Sequence, residues 1–419
     1  MLPPMNEKPE FSTASWLGLG LAALTVFHPM SIPQARAASF GDDLAFLKKH
    51  TEVIALSDKS GQAQVLVSPA WQGRVLTSTA TGDGGLSFGW INRELIAAGK
   101  FVPHINVFGG EDRFWLGPEG GQFSIFFAKG AKFDLEHWLT PAPIDTEPFQ
   151  VVKTAKDSAQ FRHVFALTNY SGTVFNIQAD REVRLLTPAK AWKTIGVKAQ
   201  PGVTMVAYES VNKITNKGKA PWTRDTGLLS IWILGMFNPS PATTIVVPIK
   251  PGSEAELGAA VNSAYFGAVP PERLVVKDKV VFFSGDGQYR SKIGVAPKRV
   301  VPILGSYDAA NKVLTLAQFT TPPAQNGYVN SMWEIQKDPF AGDVANSYND
   351  GPPSPGAKPL GPFYEIESSS PAAALAPGKS AEHIHRTLHL SGPKEALDAI
   401  ARAKLGVGLD EITTALPKK

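Results

Sequence analysis

The segment Val174–Leu185 reads VFNIQADREVRL, and it shows which kind of structure dominates this chain. Apolar and polar residues alternate along it, which is the two-residue period of a β-strand with one buried face. Arg181 falls on the apolar face, where a charged group needs either a partner or an open cleft. The alternative is an edge position with a local ion pair. The apolar residues of this face are Phe175, Ile177, Ala179, Val183 and Leu185.

The same pattern extends through the 419-residue chain, of which 43% is hydrophobic; its 38 glycines and 34 prolines indicate many turns. Runs rich in β-branched and aromatic residues are separated by turn residues, and only Gly41–His50 and Lys394–Leu405 read as helices. The sequence therefore predicts an all-β protein, a large antiparallel β-sandwich with a short C-terminal helix. The other predicted strands are Val53–Leu56, Gln64–Val67, Arg74–Ser78, Gln122–Phe127, Phe161–Leu167, Val203–Val211, Leu228–Phe237, Thr243–Ile249, Val275–Phe283, Val300–Tyr307, Val313–Phe319, Tyr328–Ile335, Phe363–Ser368 and Glu382–Leu390.

A second informative segment, Phe108–Gln122, places acids, an arginine and a tryptophan among five glycines. Carboxylates accept hydrogen bonds, arginine offers a planar fork of donors, and an indole can stack on an apolar ring. Together these groups suit a polyhydroxylated ligand such as a sugar. The alternative is a tight turn between strands with a solvated ion pair. The polar and aromatic residues concerned are Glu111, Asp112, Arg113, Trp115 and Glu119.

Residues 1–37 read as an export signal. The apolar run from Trp16 to Phe27 precedes Ala35-Arg36-Ala37, a small-x-small cleavage pattern. The run is short for a bilayer span, although a retained anchor is the alternative. We predict a cleaved signal peptide over 1–37, a periplasmic or secreted protein without stable membrane insertion, and a single β-sandwich domain over 38–419.

Charge and cysteine content exclude several classes of protein. The net charge is +4 and no run of Lys or Arg occurs, so no nucleic-acid partner is predicted. The absence of cysteine excludes a disulfide framework and a lipoprotein anchor. No cofactor is predicted, and no pattern indicates the oligomeric state.

Three histidines, His383, His385 and His389, share one face of a predicted strand. Two histidines two residues apart on a strand can bind one metal ion, with Glu365 or Glu367 as a third ligand. The alternative is three polar side chains facing solvent or a cleft, and the prediction is that no metal is bound.

The predicted strand Tyr328–Ile335 ends with Glu334 beside Trp333 and Gln336. A carboxylate at a strand end, next to an aromatic ring and an amide, suits a general base. The alternative is an ordinary exposed acid. The following stretch, Phe340–Pro362, is rich in Pro, Gly and Asn and is predicted to be a long loop.

Several of these segments, in the same order, resemble the aldose 1-epimerase (galactose mutarotase) family. Asn92-Arg93 followed by IAAGKF at 96–101 is similar to the family's Asn-Arg-Ile-Ala-x-Gly-x-Phe segment, whose arginine contacts substrate. This likeness implies a substrate-binding role for Arg93. Gly109-Gly110 with Trp115 is similar to the family's Gly-Gly…Trp stretch, except that Phe108 stands where a histidine is expected.

The segment from Glu334 through Gln336 to Pro339, with Asn346 further on, resembles the family's Glu-Pro-Gln…Pro-Asp…Asn segment. The family's glutamate is the catalytic base, which implies that role for Glu334. The segment at 212–217, NKITNK, resembles the part of the family that carries an acid histidine, but no histidine follows here.

The chain also resembles a group of uncharacterised exported bacterial proteins of the same superfamily. The shared runs are GGEDRFW at 109–115 with Gly121-Gln122, LSIWILGMF at 229–237 and FYEIES at 363–368. This resemblance covers nearly all of residues 38–419 and implies a β-supersandwich with a sugar-sized cleft.

These observations predict an exported carbohydrate-processing protein with a mutarotase-like sugar cleft and acid–base chemistry at a sugar ring. Glu334 is the expected base and His104 the expected acid, with His383 or His385 as other sources of the proton. A non-catalytic glycan-binding module is the alternative, and a metal-dependent enzyme on the histidine strand is a third hypothesis. The expected substrate-binding residues are Arg93, Glu111, Arg113, Trp115, Glu119 and Gln336.

Overall fold

Eighteen strands and six helices form within residues 39–417, the part of the chain that this computed structural model describes. Every strand pair is antiparallel, and the helices are short, so the predicted all-β class is confirmed.

The proposed signal at 1–37 lies outside the described residues. Within those residues no helix is long and apolar enough to cross a membrane. The helices are α1 Phe40–His50, α2 Arg93–Ala98, α3 Pro188–Ile195, α4 Glu254–Leu257, α5 Lys394–Leu405 and α6 Leu409–Thr414.

The largest sheet has ten strands, and its long middle strands are those whose alternation is clearest in the sequence. Their order across the sheet is β11-β12-β10-β14-β15-β18-β8-β7-β6-β5. The strands are β5 Gln150–Thr154, β6 Ser158–Thr168, β7 Val174–Leu185, β8 Thr204–Asn216, β10 Thr243–Pro248, β11 Leu274–Val276, β12 Val280–Ser284, β14 Ile303–Asp308, β15 Val313–Phe319 and β18 Ser380–Ser391.

Two smaller sheets complete the fold, one of five strands in the order β13-β16-β17-β9-β4 and one of three in the order β1-β2-β3. The five-stranded sheet gathers strands from distant parts of the chain. Its members are β4 Arg113–Gly117, β9 Ser230–Phe237, β13 Ser291–Val295, β16 Ala345–Asn349 and β17 Tyr364–Ser369; the three-stranded sheet contains β1 Ile54–Ser57, β2 Gln64–Ser68 and β3 Arg74–Thr79.

One face of the five-stranded sheet packs on the ten-stranded sheet. Ile293 and Ile366 of the smaller sheet share a buried cluster with Phe283 of the larger one. The Ser368 hydroxyl is 2.8 Å from both His383 Nε2 and His385 Nδ1 across the same interface. Since side chains alternate along a strand, the opposite face of the five-stranded sheet is left for other residues.

The other face of the ten-stranded sheet is covered by helices. Leu397 and Ile400 of α5 join Phe282 and Leu316 in a second buried cluster. Each such side chain contributes about 1.5–3 kcal/mol when fully buried. Helix α5 ends at Gly406, whose φ of 76° is the left-handed conformation that glycine adopts at helix ends.

Two predicted strands are wrong, because side chains bind the backbone there and no ladder forms. Residues 122–127 and 328–335 run as turns and loops. Gln122 Nε2 donates to Gln336 O, and Gln336 Nε2 donates to Asn330 O and Met332 O. The predicted loop over Phe340–Pro362 is also corrected, since it contains β16. The predicted single strand over Val275–Phe283 is two strands, β11 and β12.

Candidate functional site

The outer face of the five-stranded sheet carries a cluster of charged and aromatic side chains. Residues opposite each other in an antiparallel pair share a face, and the register pairs Glu367 with both Asn346 and Leu234. Trp115 pairs with Trp232 in the same way. The residues that this register places on the outer face include Arg113, Trp115, Ser230, Trp232, Lys292, Asn346, Glu365, Glu367 and Ser369.

A small cavity lies over this face. Strands β4, β9, β13, β16 and β17 form its floor, and segments around Tyr265, Ser331 and Asp343 close it. The volume open to the centre of a water molecule is about 20 Å³. This is room for about one water molecule, which needs roughly 10–15 Å³ on that measure. The lining residues are Gly117, Ser230, Trp232, Tyr265, Lys292, Val329, Ser331, Asp343, Asn346 and Ser369.

Lys292, which lines the cavity, forms a buried ion pair with Glu367 beneath it, with Nζ 3.0 Å from Oε2. Trp232 Nε1 donates to the same carboxylate oxygen at 2.9 Å. Burial alone lowers the pKa of Lys292, but Glu367, Glu119 and Glu365 reverse this and leave the pKa above its ordinary value. Lys292 is therefore charged at neutral pH.

Three carboxyl groups of the site have a raised pKa. Burial and the charge of Glu367 raise the pKa of Glu365 to about 8, against the opposing effect of Arg113, whose Nη2 donates to Glu365 Oε1 at 3.0 Å. Burial also raises the pKa of Glu119 and of Asp343. The site thus contains one strongly paired carboxylate and several carboxyl groups that hold protons more tightly than usual.

Several buried polar atoms at this site have no partner among residues 39–417. They are Glu367 Oε1, Ser230 Oγ, Trp115 Nε1 and Nε and Nη1 of Arg113. Buried polar atoms are nearly always hydrogen bonded, so each of these has capacity for water or a ligand. Ser230 lines the cavity, and Glu367 lies behind Lys292 and Trp232, which line it and bind Glu367 Oε2.

Three of the predicted site residues come together here. Arg113, Trp115 and Glu119 lie on or beside the outer face, and the Arg113 guanidinium lies 4.1 Å above the Trp115 ring. Trp115 is only 3% exposed, since Phe126 and Trp138 pack around it. A sugar therefore has no free face of Trp115 on which to stack in this structure.

Two other predicted residues shape the loop beside the site. Gln336 is buried and binds backbone carbonyls of the 328–335 segment through its amide. Glu334 is exposed in a loop, not at a strand end, and its side chain makes no hydrogen bond or ion pair with the described residues. Its neighbour Trp333 stacks on Trp138 at 5.8 Å.

The structure places three predicted residues elsewhere. Glu111 is fully buried between the sheets, where Ser78, Tyr208 and His389 bind its carboxylate at 2.9–3.0 Å. Arg93 pairs with Asp43 of α1. His104 is half-buried, with Nδ1 2.7 Å from the carbonyl oxygen of Trp138.

The histidine strand belongs to the core. His383, His385 and His389 share one face of β18, as predicted, but this face is buried against the five-stranded sheet. Burial lowers the pKa of His383 to about 3 and that of His385 to about 4. Glu365 and Glu367 lie on the far face of β17 from Ser368, so the idea that either joins these histidines on a metal is wrong. Within residues 39–417 no group of three His, Cys, Asp or Glu is arranged to hold a metal ion.

Sequence reasoning missed most of the residues at the cavity: Lys292, Tyr265, Trp232 and Asp343. The signal in the sequence for this part of the site was Lys292, a basic residue inside the short segment Ser291–Val295. It could not be interpreted, because all five residues of this strand are buried and no alternation of polarity marks it.

The fold and the site define an all-β sandwich protein with a charged cavity on the outer face of its five-stranded sheet. The chain belongs to a family of unknown function, DUF6786, which matches residues 38–416. No curated protein matches the chain by sequence.

Among solved structures the chain is similar to a proposed aldose 1-epimerase from Escherichia coli K12, at 13% identity and a TM-score of 0.47, over 82% of this chain and 99% of that one. A galactose mutarotase related enzyme from Lactobacillus acidophilus matches at 10% identity and a TM-score of 0.44, over 81% and 97%. A galactose mutarotase-like protein from Lactobacillus casei ATCC 334 matches at 8% identity and a TM-score of 0.45, over 81% and 100%.

Proposed function

We propose that this protein binds a carbohydrate in the cavity and transfers protons at the sugar ring, with Glu367 as the base. One observation carries this proposal: Glu367 Oε2 is bound by Lys292 and Trp232, while Oε1 has no partner. An oriented carboxylate with one free oxygen is suited to accept a proton from a ligand hydroxyl.

The proposed acid is a carboxyl group whose pKa is raised by burial. Asp343 lines the cavity, and Glu119 lies beside it, with its backbone N–H donating to Ser331 at 3.1 Å. Carboxyl groups with different environments, one ionised and one protonated, can divide the roles of base and acid at one pH.

Ring opening of an aldose illustrates the chemistry. Glu367 takes the proton of the anomeric hydroxyl, the bond between the anomeric carbon and the ring oxygen breaks, and the acid protonates that oxygen. The reverse steps close the ring and return both protons. Glu334, the base implied by family resemblance, is the competing assignment.

A non-catalytic glycan-binding module is the second candidate. The observation in its favour is that Glu367 is buried and already bound by Lys292 and Trp232, which suits a structural carboxylate. Such a module would use the same cavity and bind the same class of ligand without turnover.

Exchange NMR on a panel of aldoses tests both candidates. The enzyme hypothesis expects faster interconversion of anomers with the wild-type protein and loss of this effect in Glu367→Gln. Binding without any acceleration would favour the binding module. If no aldose binds, the carbohydrate proposal is wrong.

We also propose that the protein is exported after cleavage at Ala37, on the sequence pattern of residues 1–37 alone. N-terminal sequencing of the protein from the cell envelope or medium tests this. An intact Met1 in that fraction would contradict it.

A further inference from the structure

We infer that the phenol of Tyr265 occupies the position of a ligand hydroxyl, so that Asp343 and Asn346 form a hydroxyl-binding subsite that a sugar enters only after Tyr265 leaves. The inference rests on the proposed function, since it specifies how the same cavity accepts its carbohydrate. It also identifies the ligand group recognised there as a hydroxyl, which both donates and accepts hydrogen bonds.

The contacts of the Tyr265 oxygen are those of a bound alcohol. It donates to Asp343 Oδ2 and accepts from Asn346 Nδ2, the latter at 3.0 Å. The ring lies 5.5 Å from the ammonium group of Lys292. A sugar hydroxyl can make both hydrogen bonds, so exchange of the phenol for a sugar leaves neither Asp343 nor Asn346 unpaired.

The two subsite residues are held independently of Tyr265. Asn262 Nδ2 donates to Asp343 Oδ2 at 3.1 Å, and Asn346 Nδ2 is also 3.3 Å from Ile293 O. Gly294 leaves the space that the carboxylate needs, because a Cβ atom there would be 2.0 Å from Asp343 Oδ2. The subsite can therefore keep its geometry while the phenol is absent.

The segment that carries Tyr265 is held by backbone hydrogen bonds at one point, and beyond it Phe266 contacts Arg290 at 4.0 Å and the Tyr348 ring at 5.8 Å. Asn262 exchanges two backbone hydrogen bonds of 2.8 Å with Gly294, which fixes the segment to the edge of β13. Residues Ala264, Phe266 and Gly267 are exposed, and Gly267 has a φ of 93°. A rotation between residues 262 and 267 would remove Tyr265 without disturbing the anchor at Asn262.

The size of the cavity requires such a change. With Tyr265 in place there is room for about one water molecule and none for a sugar ring. Removal of the phenol ring would free the volume of a six-membered ring beside Lys292. With Asp343 assigned to binding a hydroxyl, Glu119 is left as the proton donor.

Affinity measurements on Tyr265 variants test the inference. Titration calorimetry would use glucose, galactose and mannose with the wild-type protein, Tyr265→Phe and Tyr265→Ala. Tyr265→Ala removes the ring, and Tyr265→Phe removes the two hydrogen bonds that hold the ring in the cavity, so we expect both variants to lower the dissociation constant for the sugar that binds several-fold. Asp343→Asn and Asn346→Ala should raise it tenfold or more, and the deoxy sugar lacking the recognised hydroxyl should bind wild-type protein at least tenfold more weakly.

Tyr289→Phe is the matched control, because Tyr289 is 39% exposed and does not line the cavity. It should leave affinity unchanged, and circular dichroism should show that every variant is folded. Hydrogen exchange gives a second readout, since ligand should speed exchange in residues 263–268.

The outcomes separate this inference from the proposed function. If wild-type protein binds a sugar but Tyr265→Phe binds it equally or more weakly, Tyr265 is no competitor. The inference then fails, while the proposed function stands. Unchanged or slower exchange in residues 263–268 on saturation would also overturn the inference. If neither wild-type protein nor either Tyr265 variant binds any sugar of the panel, the inference and the proposed function both fail.

Discussion

Lys292 and Glu367 form an ion pair that reaches across an intervening strand. Their charged atoms are 3.0 Å apart, although β13 and β17 are both neighbours of β16 and not of each other. Both side chains are buried. The pair therefore connects the edge strand of the five-stranded sheet to its middle strand, and it holds the Glu367 carboxylate in place through Oε2.

Lys292→Met should destabilise the protein by about 3–5 kcal/mol, because it leaves a buried carboxylate without its partner. Urea unfolding of the wild type and the variant measures the difference. Lys279→Met, at an exposed lysine outside the cavity, is the control and should change stability by less than about 0.5 kcal/mol. A cost below about 1 kcal/mol for Lys292→Met would show that the pair contributes little.

Glu367→Gln and Glu334→Gln distinguish the two candidate bases. We expect Glu367→Gln to abolish sugar turnover while much of the binding remains, since an amide keeps the shape but cannot accept the proton. Glu334→Gln should leave turnover near the wild-type rate, because its side chain is exposed and unpaired. The reverse result would return the assignment to Glu334.

Because of His383, the free energy of unfolding should fall as the pH is lowered below about 6.5. Burial depresses the native pKa to about 3, so below pH about 6.5 the unfolded chain takes up a proton that the folded protein does not. Stability should therefore fall by about 1.4 kcal/mol per pH unit from this histidine between pH about 6.5 and 4. Unfolding of His383→Gln should show a shallower slope by that amount.

His50→Gln, at an exposed histidine, is the control for that experiment and should keep the wild-type slope. A His383→Gln variant with the same slope as the wild type would mean that His383 is not the group responsible.

Gly294→Ala should displace two of the side chains that line the cavity. The added Cβ would lie 2.0 Å from Asp343 Oδ2 and 2.7 Å from Asn346 Nδ2, so both side chains must shift. We expect loss of sugar binding and a cost of about 1–3 kcal/mol from overpacking. Gly84→Ala, where an added Cβ meets nothing within 4 Å, is the control. Equal affinities for the two variants would contradict the assignment of the subsite.

Elements with a local pattern could be predicted closely. The strands Val174–Leu185 and Val313–Phe319 and the helix Lys394–Leu405 have the bounds expected from the sequence. Val174–Leu185 and the helix each bury one face and show its period, whereas Val313–Phe319 is an apolar run buried on both faces that ends at clear breaks.

Polar strands buried on both faces could not be predicted in this way. β13 and β16 are five residues each, fully buried, and contain polar residues whose side chains bind other segments, such as Lys292 to Glu367 and Ser347 to the backbone of Glu365. Their polarity pattern matches neither a one-faced strand nor an apolar core strand, so the floor of the cavity was largely missed.

Arg181 shows what the sequence by itself determined. Alternation placed it on the inward face of its strand and required a partner, and it is in fact buried, with Nη2 2.6 Å from Asp112 Oδ1. Only the tertiary structure decided that the partner comes from the segment Phe108–Gln122. That segment was expected to present its polar residues together, but Glu111 and Asp112 face the core while Arg113 lies on the outer face of the five-stranded sheet. Composition shows which side chains are available, whereas strand pairing between distant segments decides which face each one occupies and what it contacts.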